Sequence, residues 1–299
     1  MKTTREILEQ NGLNWNVVKK PLIYKQIEKG FNPNLDPLYD DRDKVNYLNT
    51  PFYGIVREDT GEVFTTVSKA YEPTQNETII DTMQEIAGKN ELEIIKAIPI
   101  HSGRKVVIQM KREVENKIMI GDEITEQFIY AINGHDGSSS LKFGFMNKVL
   151  FCENQFAWMS GNAFSGYVHK QSIQDKVKQL PSIINFTDQE ERIADLQEFS
   201  TQNANTDLIN DLVDYLTITD KLAEEMHTRT KNIRNDLESC IVSEVNRIGS
   251  TKWGLFNGIT RYTTHQKSSP KREYGKQESI LIGSCGKMNE KAFNFLKEN

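Results

Sequence analysis

The chain has 299 residues, a net charge of −5 and 14 Phe, 10 Tyr and 3 Trp. This composition is too apolar for a disordered chain, and the acidic balance excludes a protein that is basic over its whole surface. Three widely spaced cysteines exclude a disulfide scaffold and a Cys-rich zinc module, and they indicate a reducing compartment. There is no membrane-length apolar run and no signal peptide pattern, so we expect a soluble cytoplasmic protein.

Three regions are predicted along the chain. Residues 1–50 predict an N-terminal arm, with a short helix followed by loops rich in turn-forming residues. Residues 51–170 predict a sheet domain, because hydrophobic alternation indicates several strands around one amphipathic helix at 79–87. Residues 171–299 predict a helical C-terminal region, with leucines and isoleucines at helical spacing. The expected fold class is therefore α+β: an antiparallel sheet with a packed helix, followed by a helical C-terminal part.

Two of the predicted strands, at 104–112 and 141–151, alternate most clearly between apolar and polar residues. We expect them to be neighbours or near-neighbours in one sheet, because burial of one face fixes the register. Their inward residues should pack beneath the helix at 79–87. The expected inward residues are Val106, Ile108, Phe143 and Phe145.

No catalytic or metal-binding constellation stands out. His135 and Asp136 lie between Asn-Gly and Gly-Ser-Ser-Ser, and no second histidine cluster follows at ligand spacing, which favours a turn. The nearby glycines lack the Gly-Lys-Ser/Thr ending of a phosphate-binding loop. Cys152 has no identifiable base and is interpreted as a small core residue. We therefore expect no enzymatic activity, no metal and no cofactor.

Basic residues interleaved with aromatic residues are the most informative feature. Segments 96–121 and 142–178 carry charges of +4 and +3, and single-stranded nucleic acid is bound by this combination of lysines, arginines and stacking rings. The predicted phosphate-binding residues are Arg104, Lys105, Lys111, Arg112, Lys142 and Lys148, and the predicted stacking residues are Phe143, Phe145 and Trp158. The same alternation is also typical of a half-buried strand, so both interpretations stay open.

Short motifs in a fixed order then carry a family resemblance. They are Trp15-Asn-Val-Val, the stretches 56–61 and 66–76, Asn133-Gly-His-Asp-Gly-Ser138, Val149-Leu-Phe-Cys-Glu-Asn154, His169 and the stretch 253–265. In this order they resemble the phage/plasmid-like family known as domain of unknown function 932. Val168 departs from the family pattern, which usually has Arg before this histidine. The resemblance implies a mobile-element origin without an established catalytic activity, and some members look similar to phage single-strand annealing proteins.

The residues and the resemblance together lead to one expectation and one alternative. We expect a non-enzymatic phage or plasmid protein, in the bacterial cytoplasm, that binds single-stranded nucleic acid during annealing, recombination or DNA protection. The alternative is a protein that inhibits or redirects a host defence system. Its working surface would be segment 188–225, which has a charge of −9 and could steer a basic partner. A homo-oligomer is compatible with either function.

Overall fold

The computed structural model describes residues 2–28, 44–112, 117–137, 142–159, 187–217, 228–269, 271 and 274–299. The N-terminal half contains helices α1 (Thr4–Gln10) and α2 (Asn76–Lys89), and strands β1 (Val17–Glu28), β2 (Lys44–Arg57) and β3 (Val63–Val67). The central strands are β4 (Leu92–Ile100), β5 (Lys105–Arg112), β6 (Lys117–Ile120), β7 (Glu123–Gly134), β8 (Lys142–Val149) and β9 (Gln155–Met159). The C-terminal helices are α3 (Thr187–Thr201), α4 (Thr206–Thr217), α5 (Thr228–Ile248), α6 (Lys252–Arg261), α7 (Gly275–Leu281) and α8 (Ser284–Glu298), with a π-helical turn at Tyr262–Gln266.

The strands form two antiparallel sheets, which confirms the predicted α+β class. The small sheet has the order β1-β2-β3, and the large sheet has the order β4-β5-β7-β8-β9, with β6 paired to β7. Strands β5 and β8 are near-neighbours that flank β7, as predicted: Ile108 pairs with Ala131, which pairs with Phe143. All four predicted inward residues are buried in the same core cluster as the buried face of α2.

Both faces of the large sheet are covered. One face contributes to a core cluster that extends from Ile7 to Leu296 and includes residues of α2 and of the C-terminal helices. The other face packs Tyr130 and Met146 against Ile280 and Leu281 of α7. In a central strand such as β8, neither face is therefore open to solvent along the whole strand.

The first residues of the chain belong to this core, although residues 1–50 were expected to form an arm. Leu13 and Trp15 are buried, and the Trp15 indole packs in the main cluster. Gly103 has a φ of +94°, and a Cβ atom there would collide with the Trp15 ring, so this position requires glycine. The sheet domain is thus completed by the N-terminal segment.

Candidate nucleic-acid interface

Three of the six predicted phosphate-binding side chains are paired with carboxylates. Arg104 lies 3.1 Å from Glu62 and Lys105 lies 3.0 Å from Glu278. Lys148 lies 2.8 Å from Glu153, and its hydrogen bond lowers the pKa of that carboxyl group. Each of these three pairs is electrically neutral, so these side chains add little net positive charge to the predicted phosphate-binding set.

The other predicted cations are dispersed. Lys111 lies opposite Glu93 in the register of β4 and β5, and Arg112 ends β5 with a side chain outside the described residues. Lys142 starts β8 and lines a cavity beside Lys287. Lys142 therefore lines a concave site together with a second lysine.

The predicted stacking residues are core residues. Phe143 and Phe145 are fully buried and Trp158 is 5% exposed, since β8 and β9 turn these rings toward the covered face of the sheet. A base stacks on an open ring face, so the predicted stacking role of these three residues is wrong in this structure. The alternation instead reflects the half-buried strand that the sequence analysis kept as its second interpretation.

Several of the family-like motifs meet in a buried polar cluster around Asn76. Its Nδ2 donates to the carbonyl oxygens of Leu13 and Trp15, at 3.1 and 3.3 Å. Its Oδ1 therefore accepts, at 2.9 Å, from Nε2 of His135, which fixes the proton on that ring nitrogen. The adjacent Gln75 bonds both the N–H and the carbonyl of Val17. These motif residues join the N-terminal segment, α2 and the end of β7 within the protein.

A second group of motif residues connects the turn between β8 and β9 to α6 and the π-helical turn. Asn154 Nδ2 donates to the Asn257 carbonyl at 3.2 Å, and His265 Nε2 lies 3.0 Å from the Cys152 carbonyl. Burial raises the pKa of the Cys152 thiol to about 11, so the neutral thiol dominates at physiological pH. This cluster also has a structural role, because it holds the sheet against the helices.

Exposed aromatic residues occur instead on β1 and β2. We call residues 20–26 and 46–53 the β1–β2 ribbon. Strand β3 pairs with β2 at Tyr53–Val56, so the rest of the ribbon is two-stranded. Its exposed large hydrophobic side chains are Ile23, Tyr24, Tyr47, Leu48 and Phe52. Tyr47 is 67% exposed, whereas the aromatic rings of β8 are completely covered.

The charge of the ribbon is entirely positive. Lys20 and Lys25 are exposed, and neither stretch of the ribbon contains Asp or Glu. Lys25 pairs with Tyr47 in the register, and Tyr24 pairs with Leu48. Paired residues project from the same face of a two-stranded sheet with Cβ atoms about 5 Å apart, so a cation lies beside an exposed ring. Residues 20–26 already combine lysines with an aromatic residue in the sequence. The aromatic residues of the two stretches are far apart in the chain, however, and come together only through strand pairing.

The described residues contain neither a candidate metal centre nor a membrane-spanning helix. Within the described ranges, no group of three or more His, Cys, Asp or Glu residues could hold a metal ion. No helix in the described part of the chain is long and apolar enough to cross a membrane.

The fold and these surfaces define a mixed helix-and-sheet protein with antiparallel sheets and a helical C-terminal region. The family model described as "Domain of unknown function (DUF932)" matches residues 63–282, and the chain belongs to this family. No curated protein and no solved structure matches the chain. The match includes Asn76, His135, Asn154 and Asn257, whereas the β1–β2 ribbon lies before its first residue.

Proposed function

We propose that this protein is a non-enzymatic, phage- or plasmid-encoded protein that binds single-stranded nucleic acid through the β1–β2 ribbon. The observation that supports this function is the ribbon itself, which carries exposed tyrosine and phenylalanine rings, pairs Tyr47 with Lys25, and contains no Asp or Glu in residues 20–26 and 46–53. Stacking on aromatic rings and attraction of phosphates are the two components of sequence-tolerant single-strand binding.

The register suggests how one nucleotide would contact the ribbon. A base stacks on the Tyr47 ring, and the neighbouring phosphate meets the Lys25 ammonium group on the same face. Tyr24 and Leu48 provide an apolar contact on the opposite face. Such contacts read no base edges, so we expect weak sequence preference, which suits annealing, recombination or protection of single strands.

The test is fluorescence anisotropy with a labelled oligothymidine, because duplex formation is then absent. Tyr47→Ala should weaken binding by about 1–3 kcal/mol if the ring stacks on a base. Lys25→Ala should reduce the slope of log K against log salt by about 0.7, the value for one phosphate contact on a single strand.

The matched control is Tyr215→Ala, which removes an equally polar, half-exposed ring from α4. Its affinity should equal that of the parent protein. Absence of binding at low salt, or an equal loss for the Tyr47 and Tyr215 variants, would contradict binding through the ribbon.

The alternative function, interaction with a host protein, is supported by the acidic surface of α3 and α4. Residues 187–217 contain eight acidic side chains and one basic side chain, Arg192. Asp195 is paired with Lys297, whereas Glu190, Asp207 and Asp211 are exposed. If oligonucleotides do not bind, interaction with a host protein becomes the favoured function. The double variant Asp207→Lys and Asp211→Lys should then abolish association with a basic protein partner.

A further inference from the structure

A cavity of about 320 Å³ lies outside the ribbon, where the edge of the large sheet meets the turn between α7 and α8. Its polar and glycine lining comes from the start of β8, from β9 and from the first turns of α8. These lining residues are Lys142, Trp158, Gly283, Gly286, Lys287 and Glu290. The volume is at the lower end of the range for small-molecule sites, so it suits a small ligand or the terminal group of a longer one.

The cavity has a net positive charge. Lys142 and Lys287 both line it, and among the described residues neither lysine forms a salt bridge. Glu290 is the one acidic residue of the lining, and Arg192 binds it at 2.6 Å. Arg192 is held in place by the rings of Phe293 and Trp158, at 3.8 and 5.1 Å. Because Glu290 is already neutralised, the two lysines are available to an anion.

Further hydrogen-bond donors lie around the same space. Helix α8 has 15 residues and begins after Gly283; its Cys285 N–H donates to Ser279 Oγ at 3.3 Å, and the helix dipole adds partial positive charge at this end. A Cβ atom at Gly286 would collide with the Ile280 carbonyl oxygen, so glycine permits the close packing of this turn against α7.

The lining thus combines two ammonium groups and a helix N-terminus with the apolar side chains of Ala157, Leu281 and Ile282. The positively charged donors of this cavity suit the oxygens of a phosphate group, and its apolar side chains suit the organic substituent of a phosphate ester. We infer that this cavity binds a small phosphate monoester, with Lys142 and Lys287 as the charge partners of its phosphate.

Two sources could provide this chemistry, namely a free nucleoside monophosphate and the terminal phosphate of a nucleic-acid strand. The inference does not depend on the ribbon, because the cavity shares no residue with it. Titration calorimetry of the full chain with inorganic phosphate, a nucleoside 5′-monophosphate and the corresponding nucleoside tests the shared chemistry. We expect saturable binding of the monophosphate and no binding of the nucleoside.

Oligonucleotides with a 5′-phosphate and with a 5′-hydroxyl then distinguish the two sources. Tighter binding of the phosphorylated strand, lost in Lys287→Ala, assigns the site to strand ends. Equal binding of both strands, together with binding of the monophosphate, assigns it to a free phosphate ester. The ribbon variant Tyr47→Ala should leave monophosphate binding unchanged, which separates failure of this site from failure of the ribbon.

Variants of the two lysines connect the binding to this cavity. Lys287→Ala and Lys142→Ala should each weaken monophosphate binding by about tenfold, as expected for a charged hydrogen bond. The matched control is Lys291→Ala, an exposed lysine one turn further along α8 that does not line the cavity. Since Lys287 is itself exposed, its variant should keep the parent's circular dichroism spectrum. Absence of monophosphate binding, or equal losses in Lys287→Ala and Lys291→Ala, would overturn the inference.

Discussion

The β1–β2 ribbon and strand β8 contain the same kinds of residue, lysines together with large aromatic side chains, but their environments are opposite. Strand β8 lies between β7 and β9, and helices cover both faces of its sheet. The ribbon extends beyond β3 as two strands, with Tyr24, Tyr47 and Phe52 at least half exposed. The comparison shows that alternation identifies a strand, whereas the elements that cover the strand decide whether its rings stabilise the fold or meet a partner.

The largest expected effect separates the two regions by stability. Phe145→Ala should lower the free energy of unfolding by about 3–5 kcal/mol, because it leaves a cavity in a fully packed core. Chemical denaturation measures this value. Phe52→Ala removes the same ring from the exposed ribbon and should change stability by less than about 0.5 kcal/mol. Similar losses of stability in the two variants would contradict the conclusion that Phe145 is buried and Phe52 is exposed.

A second prediction concerns Cys152 in the turn beside β8. Its pKa of about 11, raised by burial from 9, leaves roughly a hundredfold less thiolate at neutral pH than an unperturbed thiol has. Alkylation of the folded protein should therefore be slow and should accelerate as the pH rises toward 11. The Cys152→Ser variant identifies the contribution of this thiol, and a fast reaction at neutral pH that this variant abolishes would show that the turn is open.

A third prediction tests the polar cluster that holds the N-terminal segment against the sheet. Asn76→Ala removes the hydrogen bonds to the His135 ring and to the carbonyls of Leu13 and Trp15, which should cost about 1–3 kcal/mol. Thermal unfolding measures the loss. Glu77→Gln, at an exposed position of the same helix, is the control and should unfold close to the parent temperature. An Asn76 variant as stable as this control would show that the cluster contributes little.

The smallest effect is expected at Lys148. Its charge is already compensated by the exposed carboxylate of Glu153, so Lys148→Gln should leave both unfolding and oligonucleotide affinity within experimental error of the parent values. Lys25→Gln, on the ribbon, is the comparison and should weaken binding at low salt. If Lys148→Gln weakens binding as much as Lys25→Gln, nucleic acid also contacts the edge of β8.

The sequence was sufficient to predict the parts of the fold that depend on local periodicity. The stripe of α2 and the alternation of β5 and β8 led to the correct elements and to the burial of Val106, Ile108, Phe143 and Phe145. The interfaces depend on residues far apart in the chain and were not predictable in this way. Lys25 meets Tyr47 through strand pairing, and Lys142 and Lys287 line one cavity because α8 packs near the sheet. The stretch Gly283-Ser-Cys-Gly-Lys287, with its two glycines and a lysine, indicates an anion site at a helix start. The other residues that line the cavity, such as Lys142, are too far away in the chain for their spacing to reveal them.

The hydrogen bonds of Asn76 also have a consequence for the order of folding. The carbonyl groups that it binds lie 61 and 63 residues before it, and His135 lies 59 residues after it. Pairings over such distances form slowly, since a long loop must close before any contact compensates for the lost chain entropy. On the ribosome, the bonds from α2 to the N-terminal segment can form as soon as α2 has been synthesised, whereas the Asn76–His135 bond requires the end of β7. Because the main core extends from Ile7 to Leu296, we expect full resistance to protease only after the C-terminal helices have been released.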